Sequence, residues 1–111
     1  MDEGAFRVLA DSTLLSLMAR LDERLGDLAE VDLSDGILTL ELESGAKYIV
    51  NKQAPNRQIW LASPVSGGWH FEHAGGDGSP ANWRATKGGA SLASLLTNEL
   101  AKATGIELRL G

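Results

Sequence analysis

No cysteine occurs among the 111 residues. Disulfides, thiolate-held metals, iron–sulfur ligation by the chain's own sulfur and a cysteine nucleophile are therefore excluded. Long apolar runs are missing too. Nothing approaches the ~18 consecutive apolar residues of a membrane-spanning helix, and the N-terminus has neither the apolar centre of a secretory signal nor an arginine-rich transit segment. These absences lead us to expect a soluble protein of the cell interior, or a processed one, with no membrane partner. Enzyme motifs are absent as well: there is no nucleophile elbow, P-loop, dinucleotide fingerprint or ordered Ser/His/Asp set. The run Gly75-Gly76-Asp77-Gly78 lacks the lysine and the strand-to-helix setting of a phosphate loop. No catalytic residue is expected.

Basic charge is scarce in the first half of the chain. Met1 to Glu43 holds eleven acids against Arg7, Arg20 and Arg24, a net of −8, whereas Ser44 onward nets +3, which together give the formal charge of −5. An acidic half argues against nucleic acid, whose phosphates require a basic footprint, and favours cations or a basic protein partner.

The length suits a single domain spanning residues 1–111, burying roughly two thirds of its unfolded surface. Phe6, Leu9, Leu14, Leu17, Leu21 and Leu25 follow helical spacing over about 3–26, with Asp2 as a cap and Gly26 as a stop. Val31-Asp32-Leu33 reads as a short strand and Asp35-Gly36 as a tight turn. Leu38, Leu40 and Leu42 alternate with Thr39, Glu41 and Glu43, the pattern of a strand with one wet face. Further strands are predicted near 46–53, 57–63, 68–73 and 82–86, a second helix over 91–104 ending at Gly105, and a last short strand carrying Ile106, Leu108 and Leu110. Two helices bracketing an antiparallel meander give an α+β fold: a two-layer α/β sandwich with both helices on one face of the sheet. Its other face must meet water or a partner.

The acids of the first helix need geometric scrutiny. At 100° and 1.5 Å per residue, Asp11 and Asp22 lie within about 20° of each other around the axis but ~16 Å apart along it, so one ion cannot bridge them. Asp22, Glu23 and Asp27 are closer, and are expected to converge near the helix end with Glu30 and Asp32 of the following strand. Exposed oxygen-only ligands suit hard cations, bound weakly and reversibly.

The stretch Asn51-Lys52-Gln53-Ala54-Pro55-Asn56-Arg57-Gln58-Ile59-Trp60-Leu61 departs from the rule that a strand aromatic belongs inside. With Ile59 and Leu61 inward, alternation puts Gln58 and Trp60 on the opposite face, joined by Asn51 and Gln53 from the strand before. An indole among amides suits a protein-binding surface. His70 and His73 are three apart, so a strand sends them to opposite faces and no zinc pair forms. Trp69 and Phe71 share the face opposite His70 and are expected in the core, while Trp83 fits either the interior or the border of the patch.

Tyr48-Ile49-Val50-Asn51-Lys52-Gln53, then Pro55 to Leu61 and Ser63-Pro64-Val65-Ser66-Gly67, resemble the signature of the frataxin family, including its bacterial CyaY branch. Phe6, Leu9-Ala10-Asp11, Gly36-Ile37-Leu38-Thr39, Gly68-Trp69-His70-Phe71 and Asn82-Trp83 extend the likeness over nearly the whole chain. The resemblance implies the frataxin fold, ferrous or ferric iron as the cation held by Asp11, Asp22, Glu23, Asp27, Glu30 and Asp32, and a cysteine desulfurase and iron–sulfur scaffold as partners. Asn51, Lys52, Gln53, Gln58, Trp60 and His70 would meet those partners. The implied role is a non-catalytic regulator of iron–sulfur cluster assembly, monomeric without iron. The alternative is an iron-oxidising or iron-storing oligomer. Met18 and Ala19 occupy helix positions that are often acidic in bacterial frataxins, so the acidic ridge is thinner here. The Gly68-Trp69-His70-Phe71 run leans towards a bacterial cytoplasm, with a processed mitochondrial matrix form as the alternative.

Overall fold

Helix α1, Glu3–Leu25, starts where Asp2 Oδ1 accepts the Ala5 amide at 2.7 Å, satisfying one of the first-turn donors. Its inward stripe is Phe6, Ala10, Leu14, Leu17, Leu21 and Leu25, each at most 2% exposed. The computed structural model describes all residues from Met1 to Gly111. After α1 come β1 (Ala29–Ser34), β2 (Ile37–Leu42), β3 (Lys47–Gln53), β4 (Gln58–Ser63), β5 (Gly67–His73) and β6 (Trp83–Ala85), then α2 (Leu92–Thr104). The strands form one antiparallel meander in chain order, β1 to β6.

The β1–β2 hairpin needs positive φ at both turn residues. Asp35 and Gly36 supply it, at 52° and 75°, and their backbone twist matches that of the flanking strands. Helix α2 is capped by Ser91, whose Oγ accepts from the Ser94 amide at 3.0 Å, and stops at Gly105 with φ of 75°. Both helices cover the same side of the sheet, α1 over β1 to β3 and α2 towards β6. Leu38, Leu40, Tyr48, Val50, Ile59, Leu61 and Phe71 point into that layer and, with the two helices, make one apolar cluster. The opposite sheet face carries no covering element.

One expectation changes, and Trp83 takes one of its two alternatives. Ile106 to Leu110 is an extended tail outside the sheet. Leu108 and Leu110 are buried as their alternation required, but the carbonyls of Glu107 and Arg109 accept from Arg24 Nη2 (3.2 Å) and Arg20 Nη1 (3.0 Å) instead of from a neighbouring strand. Trp83 goes inside: it is fully buried, packs edge-on against Phe6 with ring centroids 6.0 Å apart, and its Nε1 donates to Thr13 Oγ1.

Candidate functional site

On the open face, strand register sets Ile37, Asn51, Trp60 and His70 side by side across four strands. A second row runs Gln53, Gln58, Glu72 and Arg84. The Trp60 and His70 rings stack, with centroids 4.2 Å apart and planes 7° from parallel. Trp60 Nε1 donates to Gln58 Oε1 at 2.8 Å, and Gln58 Nε2 donates to Glu72 at 3.3 Å. The indole is thus half-buried rather than free-standing, with one ring face covered by imidazole and its polar tip satisfied. Exposed Ile37 and Ile49 extend the surface, at 43% and 37%. The ring is therefore bordered by one amide, Gln58, that its own hydrogen bonds already align, and the patch is pre-ordered to that extent.

Lys52 does not join this face. It has the same parity as Tyr48 and Val50, so its side chain turns towards the helix layer, where Nζ meets Asp11 Oδ1 at 2.7 Å and packs near Gly36. The pairing also removes Asp11 from the rest of the acids. The expected convergence at the end of α1 does not occur: nowhere do three or more carboxylate or imidazole groups surround a single ion position. Glu23 falls in a depression with Arg20, Arg24, Glu107 and Arg109. Asp27 and Glu30 line a separate shallow groove with Glu41 and Glu43. Asp32 stands on the open face opposite Thr39, and Asp22 is exposed on the helix. Exposed like charges lack any packing to hold them together and spread apart. Glu30 faces Glu41 directly across β1 and β2, a repulsion that Lys47, 3.8 Å from Glu41, offsets in part.

His73 occupies the opposite face from His70, as parity required, with its ring 5.2 Å from Trp83. Phe71 is buried, whereas Trp69 is only partly covered, its Nε1 donating to Ser66 Oγ at 2.8 Å.

Sequence reading missed Glu99. Its Oε1 accepts from Tyr48 at 3.0 Å and Ser63 at 2.6 Å, and its Oε2 from Ser66 at 2.6 Å, tying α2 to the end of the β4–β5 hairpin. Burial, then the hydrogen bond and charge of Glu99, push the Tyr48 phenol from 10.0 up to about 12. The available signal was a carboxylate set beside Leu95, Leu96 and Leu100 on the buried stripe of α2.

A frataxin-like domain model matches residues 1–106. The chain is 41% identical over 91 residues to the mitochondrial frataxin homolog of Saccharomyces cerevisiae, covering 81% of this chain and 49% of that protein, so it spans about half the yeast relative's length. It is 39% identical over 102 residues to the iron–sulfur cluster assembly protein CyaY of Vibrio cholerae, covering 92% of this chain and 91% of that one. Among solved structures, a frataxin from Psychromonas ingrahamii superposes with a TM-score of 0.83 at 26% identity, over 100% of this chain and 99% of that chain. Trimeric yeast frataxin complexed with ferrous iron gives 0.74 at 38%, over 88% and 87%. No helix of this chain is long and apolar enough to cross a membrane. With the family model covering almost its whole length and the layered α/β architecture shared, the chain belongs to the frataxin family.

Proposed function

We propose that this protein acts in iron–sulfur cluster assembly as a non-catalytic regulator that docks a cysteine desulfurase and its scaffold through the open sheet face and carries iron loosely on its acidic end. The observation that supports this reading best is the Asn51, Trp60 and His70 row, aligned by register on the one face the helices leave uncovered. Its indole is an anchor of the type that dominates interface energetics, and the surrounding amides satisfy a partner's backbone groups. The negative first half of the chain draws a basic partner surface and speeds encounter, while Trp60 governs how long the complex lasts.

Iron in this reading is cargo. The donors are exposed carboxylates with no three converging, a set that fits one or two ligands to a largely hydrated ion and does not fit a resident cofactor. Asp27 and Glu30, sharing their groove with Glu41 and Glu43, are the densest donors; Asp22, Glu23 and Asp32 flank them in sequence. Residue-resolved NMR tests both surfaces. Ferrous iron is expected to broaden residues between Asp22 and Asp32, and a cysteine desulfurase to perturb Gln53 to Trp60. A desulfurase that binds while leaving the Trp60 indole and its neighbours unshifted would overturn the docking assignment.

A second reading is an iron-oxidising or iron-storing oligomer, supported by the trimeric, ferrous-complexed yeast relative. It requires iron-driven growth in mass together with oxygen consumption. The separation of the acids here favours the regulator.

A further inference from the structure

The edge of β5 is left open just where it borders the docking face. Strand β6 pairs only with Phe71, Glu72 and His73. One further bond, from the Thr86 amide to the His70 carbonyl at 2.9 Å, closes the ladder; the chain then turns back so that Ala90 O accepts from the Ala85 amide. Backbone groups alternate in direction along a strand. Because His70 turns its carbonyl towards β6, the N–H and C=O of Gly68 face the same way, beyond the last paired residue, and the His70 amide has no backbone acceptor there. The place a longer β6 would fill is a cleft of about 570 Å³ between Gly68, Trp69 and His70 on one side and Thr86, Lys87 and Gly88 on the other.

A Cβ added at Gly67, Gly68 or Gly88 would meet no atom within 4 Å, so no side chain overhangs the cleft from the sheet faces at these positions. Proline and bulges, two ordinary ways of blunting an edge, are absent from Gly67 to His70. Lys87 is the one charged residue lining the cleft, whose remaining lining residue, Ser66, donates to Glu99. Lys87 takes part in none of the four ion pairs, nor does Arg84, which reaches only the Gly89 carbonyl at 3.4 Å. Glu72, the carboxylate across from Arg84, is held by Gln58 on the docking face.

We propose that the β5 edge from Gly67 to His70 receives an extended, acidic segment of a partner protein as an added strand, continuing the line of β6, with its carboxylates set against Lys87. Main-chain bonds to the Gly68 N–H and C=O and to the His70 N–H would supply the affinity and Lys87 the selectivity, the usual division in strand addition. This goes beyond the docking role proposed for Trp60 and stands whether or not that role holds.

The test uses a short synthetic peptide of alternating glutamate and valine, its N-methylated analogue, which keeps the charges but cannot form a ladder, and a lysine-for-glutamate analogue. Titrated into the labelled full chain, the first peptide is expected to shift the Gly68, His70 and Lys87 amides and to slow hydrogen exchange at Gly68 and His70. The N-methylated and lysine analogues are expected to bind at least tenfold more weakly. Lys87→Glu, exposed and outside the core, should weaken the parent peptide at least tenfold with an unchanged melting curve. Equal binding of the N-methylated analogue, unchanged exchange at Gly68 and His70, or no binding of the parent peptide would each overturn the proposal.

Discussion

The Trp83 indole N–H donates to Thr13 Oγ1 at 2.8 Å, joining β6 to α1 across 70 residues of sequence inside the core. The same hydroxyl lies 2.6 Å from the Gly78 carbonyl and 2.9 Å from the Leu9 carbonyl, so one buried side chain accepts from the sheet and shares its single proton between the long loop before β6 and its own helix.

Thr13→Val keeps the shape and removes every bond of the hydroxyl, leaving a buried indole donor and the Gly78 carbonyl without it. Orphaning such groups costs about 1–3 kcal/mol each. Urea unfolding is expected to show a loss of about 2–4 kcal/mol with an unchanged slope, while Thr13→Ser recovers most of it. A valine variant as stable as the parent would show the hydroxyl to be dispensable.

Tyr48 gives the fold a sensitivity to alkali. Its phenol is raised from 10.0 to about 12 in the folded chain, so the folded state holds its proton more tightly than the unfolded state. The associated stability is complete below pH 10 and is lost as pH climbs towards 12. Two pKa units correspond to about 2–3 kcal/mol. Tyr48→Phe has no proton to lose, and its stability should fall less steeply than the parent's over pH 10 to 12. Parallel curves would contradict this.

Trp60→Ala removes the proposed anchor and the stacked imidazole contact but no core side chain. Its melting midpoint should move little, a loss of about 1 kcal/mol, while affinity for a cysteine desulfurase falls ten- to hundredfold, the scale of a central aromatic anchor. Calorimetric titration against the parent measures it, and unchanged affinity would remove the indole from the interface.

Asp11 and Lys52 make an ion pair whose lysine side chain is 18% exposed and whose carboxylate is 52% exposed. Asp11→Asn is expected to cost no more than about 1 kcal/mol, because half of the pair lies in solvent. It should leave ferrous broadening of residues 22–32 unchanged. Asp27→Asn combined with Glu30→Gln should abolish that broadening, together with the cation-induced rise in melting temperature. For the parent protein that rise reflects about 2.7 kcal/mol at a hundred times the dissociation constant, on the order of 10 °C for a chain this size. A flat midpoint across a saturating titration would count against cation binding.

Much of the architecture is legible in residue order because it is set locally. Helical spacing from Phe6 to Leu25, the Asp35-Gly36 turn and the alternation of Leu38, Leu40 and Leu42 are each decided within a few residues. The face shared by Gln58, Trp60 and Asn51 follows from the same alternation once Ile59 is inside. What depends on distant neighbours is not legible. Alternation in Ile106, Leu108 and Leu110 fixes which side chains turn inward but says nothing of a ladder partner, and Arg20 and Arg24 satisfy those carbonyls instead. Lys52 shares the inward parity of Tyr48 and Val50, which is legible and was overlooked; only its partner Asp11, 41 residues away, is not. The grouping of Asp27 and Glu30 with Glu41 and Glu43 arises from hairpin register, which residue spacing along one helix does not contain.

The one-sided covering of the sheet divides each central strand into two sets of positions under different constraints. Inward positions are bound by packing density, whereas outward ones can be exchanged with little effect on whether the chain folds. Sequence drift can therefore retune recognition, as where an imidazole sits against Trp60, without an accompanying search for a new interior.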